Sequence, residues 1–235
     1  MVVAIEGNGT SDTQWREWTD VRCWPAIAPA TAAGAVVVAP HPDDEILGAG
    51  GLMALAGTGT VVAVTDGDAS HPDATPEQRE HLRRVRPEET TEAIGRLGLH
   101  CEVLRLGQGD GHIVEEPLTE ALVGLLRPGQ ICLATWRGDG HPDHEAVGRA
   151  AAAACEITGA ILWEYPIWMW HWAEPRDPRV PWTRARRIDL PEPTRRAKSH
   201  AIEAFTSQIT PMNGQTILPP HVLERFRRPW EVMFT

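Results

Sequence analysis

The tripeptide His-Pro-Asp occurs three times in this chain, and two copies carry a further residue of a metal-binding type. The first copy begins at His41 and continues into Asp44, within the stretch VVVAPHPDDEILGAGG. Another begins at His141 and continues into His144, within GHPDHEAVG. Imidazoles and a carboxylate are a common ligand set for a hydrolytic zinc ion, with water completing the shell. The motifs therefore predict a metal site formed by His41, Asp44 and His144.

Other polar residues of the same two motifs are suited to acid–base chemistry. Asp43 stands beside a predicted ligand and can accept a proton from water as a general base. His141 can stabilise an oxyanion or protonate a leaving nitrogen, and Asp143 can hold His141 in the required tautomer. A dication with one ligand carboxylate keeps net positive charge, which lowers the pKa of a bound water. The pattern therefore predicts metal-dependent hydrolysis.

The remaining copy, SHPDATP, begins its tripeptide at His71 and lacks an additional ligand. A lone His-Pro-Asp is typical of a helix start, with Asp as the cap and Pro near the first helical position. We therefore expect His71 to be structural and to lie at the rim of the site. His171, between two tryptophans, is also predicted to be structural rather than a ligand.

Strand and helix patterns alternate along the chain and place both motifs at one edge of a parallel sheet. A continuous β-branched run predicts a buried strand at 34–40, and further strands are predicted at 60–67, 101–107, 130–136 and 160–166. Helices are predicted at 46–57, 75–99, 118–129 and 141–159, with Pro87 as a possible kink. This alternation predicts a Rossmann-like α/β fold, with a mostly parallel sheet and helices on both faces. Both motifs follow strands directly, and ligands bind at the carboxyl ends of strands in such sheets.

The two ends of the chain have a different composition. Residues 1–33 are predicted to be an N-terminal extension, and residues 167–184 a Trp- and Pro-rich loop. The loop either covers a sugar ring or apolar group of the substrate, or packs on itself as a lid. Beyond it we expect a strand at 184–190, a helix at 192–208 and an edge-type strand at 228–234. A single domain over 1–235 is expected, although the length also allows two small ones.

Composition narrows the possible partners. The chain has 235 residues and a formal net charge of −10, which argues against nucleic acid or an anionic membrane as the main partner. Its four cysteines form no CxxC and no evident disulfide framework, which indicates a reducing compartment. We see neither a signal peptide nor an apolar stretch of membrane-spanning length, so a cytoplasmic protein is expected. The oligomeric state cannot be read from the sequence.

The motifs resemble the PIG-L/LmbE-like family of metal-dependent N-acetylglucosamine deacetylases. The resemblance rests on APHPDDEILGAGG and HPDHEAVG, with weaker echoes in TDGDASHP, RPEETTEAIGRLG, LGQGDG and RRPWEVMF, and it extends over about residues 35–234. It implies a Rossmann-like fold and a zinc ion held by His41, Asp44 and His144. It also implies that Asp43 is the general base and that His141 assists at the oxyanion or leaving group.

The resemblance suggests two substrate-binding residues. Some members bind substrate through an arginine, for which Arg86 is the nearest match, although Pro87 is unusual in that segment. Asp110, in GDG, is a candidate ligand of a sugar hydroxyl or an ordinary turn residue.

The function predicted from the sequence is zinc-dependent removal of an acetyl group from an N-acetylated amino sugar in a small glycoconjugate. The same ligand set also holds Fe²⁺, so an Fe(II) oxygenase is one alternative. An amidase for a larger acyl group and a non-catalytic carbohydrate-binding protein are others. Asp43 favours hydrolysis over both the oxygenase and the binding protein. A dinucleotide-binding oxidoreductase is disfavoured because GAGG lacks the GxGxxG spacing.

Overall fold

A seven-stranded sheet forms the centre of the protein, seen in a computed structural model that describes residues 7–57 and 59–235. The strands are β1 (Val36–Ala39), β2 (Thr60–Thr65), β3 (Glu102–Gln108), β4 (Ile131–Thr135), β5 (Ile161–Tyr165), β6 (Ala185–Asp189) and β7 (Trp230–Phe234). Their order across the sheet is β3-β2-β1-β4-β5-β7-β6. The first five are parallel, and β7 runs antiparallel to both of its neighbours. The predicted α/β class with a mostly parallel sheet is confirmed.

Helices cover both faces of this sheet because the side chains of its central strand alternate between two apolar clusters. The helices are α1 (Asp12–Glu17), α2 (Asp44–Ala56), α3 (Pro76–Arg96), α4 (Glu115–Leu125), α5 (Pro142–Thr158), α6 (Met169–Trp172), α7 (Glu192–Ile202), α8 (Thr206–Ile209) and α9 (Pro220–Leu223). Val37 of β1 shares a cluster with Ile46 of α2. Val38 shares the other with Leu122 of α4. Burial on both faces explains the continuous β-branched runs of the strands.

The strand order creates a crevice beside β1. From β1 the chain passes outward through β2 and β3, and it then returns to β4 on the other side of β1. Such a reversal leaves the carboxyl ends of the two central strands uncovered, and ligands of open α/β sheets bind there. The motif of His41 follows β1, and that of His141 and His144 follows β4.

Local sequence explains how the helices near this crevice begin and pack. Thr75 and Gln78 form a capping box, and α3 then continues through Pro87 without a break. Gly48 of α2 lies against Tyr165, whose hydroxyl donates to the Val38 carbonyl at 2.8 Å. A Cβ at Gly48 would lie 2.1 Å from the ring, so glycine is required for this close approach.

A buried ion pair between Lys198 and Glu231 binds backbone groups of α2. Lys198 Nζ donates to the Leu47 carbonyl at 2.7 Å and to Glu231 Oε1 at 2.6 Å. The two Glu231 oxygens accept the backbone N–H groups of Gly51 and Leu52 at 2.6 and 2.8 Å. The pair therefore anchors α2, which begins at the predicted ligand Asp44, to α7 and β7.

Two predictions about the C-terminal elements are wrong. The strand at 228–234 is internal, because β7 lies between β5 and β6 with Val232, Met233 and Phe234 buried. The arginine-rich β6 forms the edge instead. The helix predicted over 192–208 ends at Ile202, and α8 begins after a break.

The two segments with unusual composition pack together. Trp15 is fully buried, its ring lies 4.9 Å from that of Trp170, and its indole N–H donates to the Trp170 carbonyl at 3.0 Å. The described part of the predicted extension is thus joined to the Trp-rich loop, which itself contains α6. Residues 1–6 of the extension lie outside the described residues. Nowhere in the described ranges is a helix long and apolar enough to cross a membrane.

Candidate metal centre

The three predicted metal ligands meet at the switch point between β1 and β4. Asp44 Oδ2 lies 3.2 Å from His41 Nδ1 and 3.3 Å from His144 Nε2. Ligands about 2.0–2.1 Å from a tetrahedral zinc ion are about 3.3–3.4 Å apart, so this spacing is close to that of such an ion. His144 Nε2 is buried and makes no hydrogen bond to any described residue, as expected of a ligand nitrogen. These residues therefore form a set that can hold a metal.

A buried carboxylate that we did not predict orients one of these ligands. Asp139 Oδ2 lies 2.8 Å from His144 Nδ1, on the side of the ring away from Asp44. The same carboxylate accepts the backbone N–H groups of Ile167, Trp168 and Met169 at 2.9–3.0 Å. It thus directs His144 Nε2 towards the site and ties the start of the Trp-rich loop to it. The only sequence signal was an aspartate in the loop between β4 and the second motif.

Two further carboxylates face the other nitrogen of His41. Asp143 Oδ2 lies 3.1 Å from His41 Nε2, and Asp110 Oδ1 lies 3.2 Å from it. Backbone N–H groups of Gly111 and Ala69 donate to these carboxylates at 2.7 Å. We expected the Asp143 carboxylate to hold His141, but it lies against His41 instead. Gly111, in the turn after β3, donates to the carboxylate in this position. His41, His141 and Asp143 form a second, overlapping group of possible metal donors.

Proton affinity in the site follows from the close packing of these groups. Burial disfavours the charged imidazolium, but Asp44 and Asp139 outweigh burial and raise the pKa of His144 to about 9. In His41 burial is likewise outweighed, here by hydrogen bonds to Asp110, Asp143 and Asp44, which raise its pKa. Burial disfavours ionised Asp44, yet the two histidines hold its pKa well below the usual range. The pocket therefore stabilises positive charge at the point where a cation would bind.

Asp43 stands at the edge of the cavity in a strained conformation. Its φ of 133° lies in a region that L-residues rarely adopt, which is typical of residues held for function. Arg86 Nη2 donates to Asp43 Oδ2 at 3.0 Å, and Glu45 Oε2 accepts the Asp43 backbone N–H at 3.1 Å. Burial raises the pKa of Asp43 to about 7, with Arg86 opposing the rise and Asp44 adding to it. Such a pKa suits a general base near neutral pH.

Arg86 lies beneath Asp43 and has its own set of partners. Besides Asp43 it donates to the carbonyls of Pro42 and Gly67, at 2.7 and 2.6 Å, and it is almost fully buried. Gly67 has a φ of +68°, and a Cβ there would lie 2.2 Å from Arg86 Nη1. Arg86 thus positions Asp43. Contact of Arg86 or Asp110 with substrate stays a prediction, and both residues line the cavity.

His141 lies beside the two predicted histidine ligands and is neutral. Burial, together with the neighbouring charges of His144 and His41, lowers the pKa of His141 to about 3. The backbone N–H of Asp143 donates to His141 Nδ1 at 3.3 Å. A neutral imidazole that accepts at Nδ1 carries its proton on Nε2, so His141 offers a hydrogen-bond donor to the site.

The other histidines named above stand outside the two donor groups. His71 is buried, and its Nδ1 lies 3.1 Å from Ser70 Oγ. Ser70 lines the cavity, which places His71 at the rim. His171 Nδ1 lies 3.1 Å from Arg225 Nη1, and its carbonyl accepts the Thr10 N–H at 2.8 Å. Both histidines thus contact neighbouring residues, and their structural role stays a prediction.

A Rossmann-like α/β fold with a His-His-Asp cluster at its switch point defines the class of this protein. The model of the family described as GlcNAc-PI de-N-acetylase (PIG-L) matches residues 36–155, just over half of the chain. The chain belongs to this family, and the resemblance seen in its motifs is confirmed.

Individual relatives agree with this assignment. A probable N-acetyl-alpha-D-glucosaminyl L-malate deacetylase 2 from Bacillus cereus is 30% identical over 133 residues. That match covers 51% of this chain and only 59% of the relative's length. The structure of N,N'-diacetylchitobiose deacetylase from Pyrococcus horikoshii has a TM-score of 0.58 at 19% identity. The match covers 86% of this chain and 78% of the deacetylase chain. GalB, a 4-carboxy-2-hydroxymuconate hydratase from Pseudomonas putida, also has a TM-score of 0.58, at 20% identity. The match covers 83% of this chain and 82% of the GalB chain. The two structures share the fold and differ in named reaction, so the fold alone does not assign chemistry.

Proposed function

We propose that this protein is a zinc-dependent N-deacetylase that removes an acetyl group from an N-acetylated amino sugar in a small glycoconjugate. The observation that carries the proposal is a buried carboxylate, Asp43, held in a strained conformation beside three convergent metal donors. Family membership and the name of the Bacillus cereus relative support the reaction and the amino sugar. We further propose that residues 1–235 act as one domain in the cytoplasm, with the packing of Trp15 supporting the former.

His41 Nδ1, Asp44 Oδ2 and His144 Nε2 are the atoms that would hold the ion. Two imidazoles and one carboxylate suit zinc and also Fe²⁺. When bound, such an ion supplies Lewis acidity, which polarises the amide carbonyl and lowers the pKa of water.

The chain's own residues manage the protons. Asp43 accepts a proton from the water whose oxygen bonds to the amide carbon. Arg86 holds one oxygen of Asp43 and so keeps the carboxylate directed at the cavity. As the carbon–nitrogen bond breaks, Asp43 returns that proton to the leaving nitrogen, and acetate and a free amine result.

His141 acts on the carbonyl oxygen in this proposal. Its Nε2–H donates a hydrogen bond to the oxygen as negative charge develops there. The pKa of about 3 makes His141 a neutral donor and a poor general acid at neutral pH, so the leaving nitrogen is assigned to Asp43. Of the two roles left open by the sequence, we propose the one at the oxyanion.

Metal content and acetate release from the purified protein test this proposal together. About one zinc per chain and chelator-sensitive acetate release from N-acetylglucosaminides are expected. A panel with longer N-acyl groups distinguishes an amidase for larger substrates, and turnover that requires O₂ would indicate an oxygenase. No metal after reconstitution with zinc or Fe²⁺ would refute the assigned ligand set. Metal without release of any acyl group would refute the hydrolase.

A further inference from the structure

The cavity above the candidate metal centre has two chemically different sides. Its volume is about 230 Å³. One part of its lining consists of the candidate ligands and Asp43, and another part, here called the wall, is apolar. The wall consists of Ile167, Trp168, Ile217, Leu218, Val222 and Phe226. All six lie outside residues 36–155, the part that matches the family model.

The wall itself offers no cationic side chain that could pair with an anionic group. Among the described residues that line the cavity, Arg86 is the single arginine or lysine, and that guanidinium is bound to Asp43 and two carbonyls. Asp110 adds a carboxylate to the same lining. A carboxylate packed against the wall would therefore lose water without gaining a cationic partner there.

The wall is also preformed. The Trp168 N–H donates to Asp139, the carboxylate that orients His144. On the other side, the Leu218 N–H donates to the Gln208 carbonyl at 2.9 Å. Leu218 and Phe226 are themselves buried, so little order has to be created when an apolar group binds there.

We propose that the sugar substrate carries an uncharged, apolar substituent, such as an alkyl or aryl aglycone, which packs against this wall. The inference rests on the proposed deacetylase function and adds the class of aglycone. It sets the chain apart from its Bacillus cereus relative, whose name places malate, a dicarboxylic acid, on the sugar.

Three N-acetylglucosaminides with the same sugar and linkage test the proposal with the zinc-loaded protein. They carry methyl, hexyl and 5-carboxypentyl aglycones, so the last two differ in a terminal carboxylate. We expect kcat/KM for the hexyl glycoside to exceed that for the methyl glycoside at least about tenfold. The carboxypentyl glycoside should fall below the hexyl one by at least the same factor. A hexyl glycoside no better than methyl, or a carboxypentyl glycoside equal to hexyl, would overturn the inference.

Calorimetric binding of the same glycosides to the Asp43→Asn variant separates the inference from the proposed function. Acetate release without preference among aglycones would refute the apolar site and leave the deacetylase standing. Tighter binding of the hexyl glycoside, without acetate release from any substrate by the unmodified protein, would refute the deacetylase and support the apolar site. Equal binding of all three would overturn the inference whatever the activity.

A charged variant of the wall provides a second test. Ile217 is partly exposed, so Ile217→Lys can place its ammonium group at the cavity without burying it in the core. We expect this change to raise kcat/KM for the carboxypentyl glycoside relative to the hexyl one at least about tenfold. Ile157→Lys is the matched control, because Ile157 is 66% exposed on α5 and is not among the residues lining the cavity. An unchanged ratio in Ile217→Lys would count against the assigned wall.

Discussion

Replacement of Asp139 by asparagine should weaken metal binding although Asp139 is not a ligand. Both oxygens of this carboxylate accept hydrogen bonds: Oδ1 from the N–H groups of Ile167 and Met169, and Oδ2 from that of Trp168. Oδ2 also lies 2.8 Å from His144 Nδ1. An amide has one accepting oxygen, so one end of the new side chain must present N–H groups to donors.

The magnitude follows from where that amide nitrogen is placed. At the Oδ2 position it would donate to His144 Nδ1, which shifts the imidazole proton to Nε2, the nitrogen assigned to the metal. Loss of such an orienting partner typically costs about 10–100-fold in metal affinity, or about 1.4–2.7 kcal/mol. The buried Trp168 N–H would lose its acceptor as well, which costs about 1–3 kcal/mol of folding stability.

Zinc affinity can be measured by competition with a chromophoric chelator, and stability by urea unfolding of the metal-free protein. Asp189→Asn is a suitable control, because Asp189 is an exposed residue of β6 paired with Arg187. A folded Asp139→Asn protein with zinc affinity within about twofold of the unmodified protein would refute the reasoning, since loss of a partner that orients a ligand typically costs about 10–100-fold.

Three further predictions concern the base, the protons and the helix anchor. Asp43→Asn should retain zinc but lose about 10²–10⁴-fold in kcat, because the amide cannot accept the water proton; full acetate release by this variant would exclude Asp43 as the base. The pKa of His144 is raised to about 9. In the metal-free protein, the stabilisation from protonated His144 is therefore complete below the ordinary pKa of 6.5. It is lost as the pH rises through about 9. Zinc binding at pH 7.5 should therefore release protons and strengthen with pH; calorimetry in buffers of different ionisation enthalpy checks this, and a heat independent of the buffer would contradict it. Lys198→Met should cost about 3–5 kcal/mol in urea unfolding, because Glu231 would remain buried without its cation, and a loss below about 1 kcal/mol would mean that the pair does not anchor α2.

Much of this protein was determined by local sequence. Buried apolar runs predicted β1 and β2, since a strand buried on both faces has no polar positions, and the alternation with helices predicted the other three parallel strands. The residues around His41 and His144 predicted a donor set at one sheet edge, because parallel strands end on the same side. A Thr cap followed by Pro at the first helical position similarly predicted where α3 begins.

Partners distant in the chain were decided by the tertiary structure alone. No local pattern predicted that Asp143 would face His41, that Asp139 would orient His144, or that Arg86 would hold Asp43. Local sequence likewise did not predict that β7 lies inside the sheet. Nor did it predict the apolar wall formed by residues 167–168 and 217–226. Side-chain periodicity reports which face of an element is buried, but the partner on that face depends on how distant elements pack. The sequence thus determined the candidate metal donors, and the packing of loops from five strands and the C-terminal segment decided which atoms face one another.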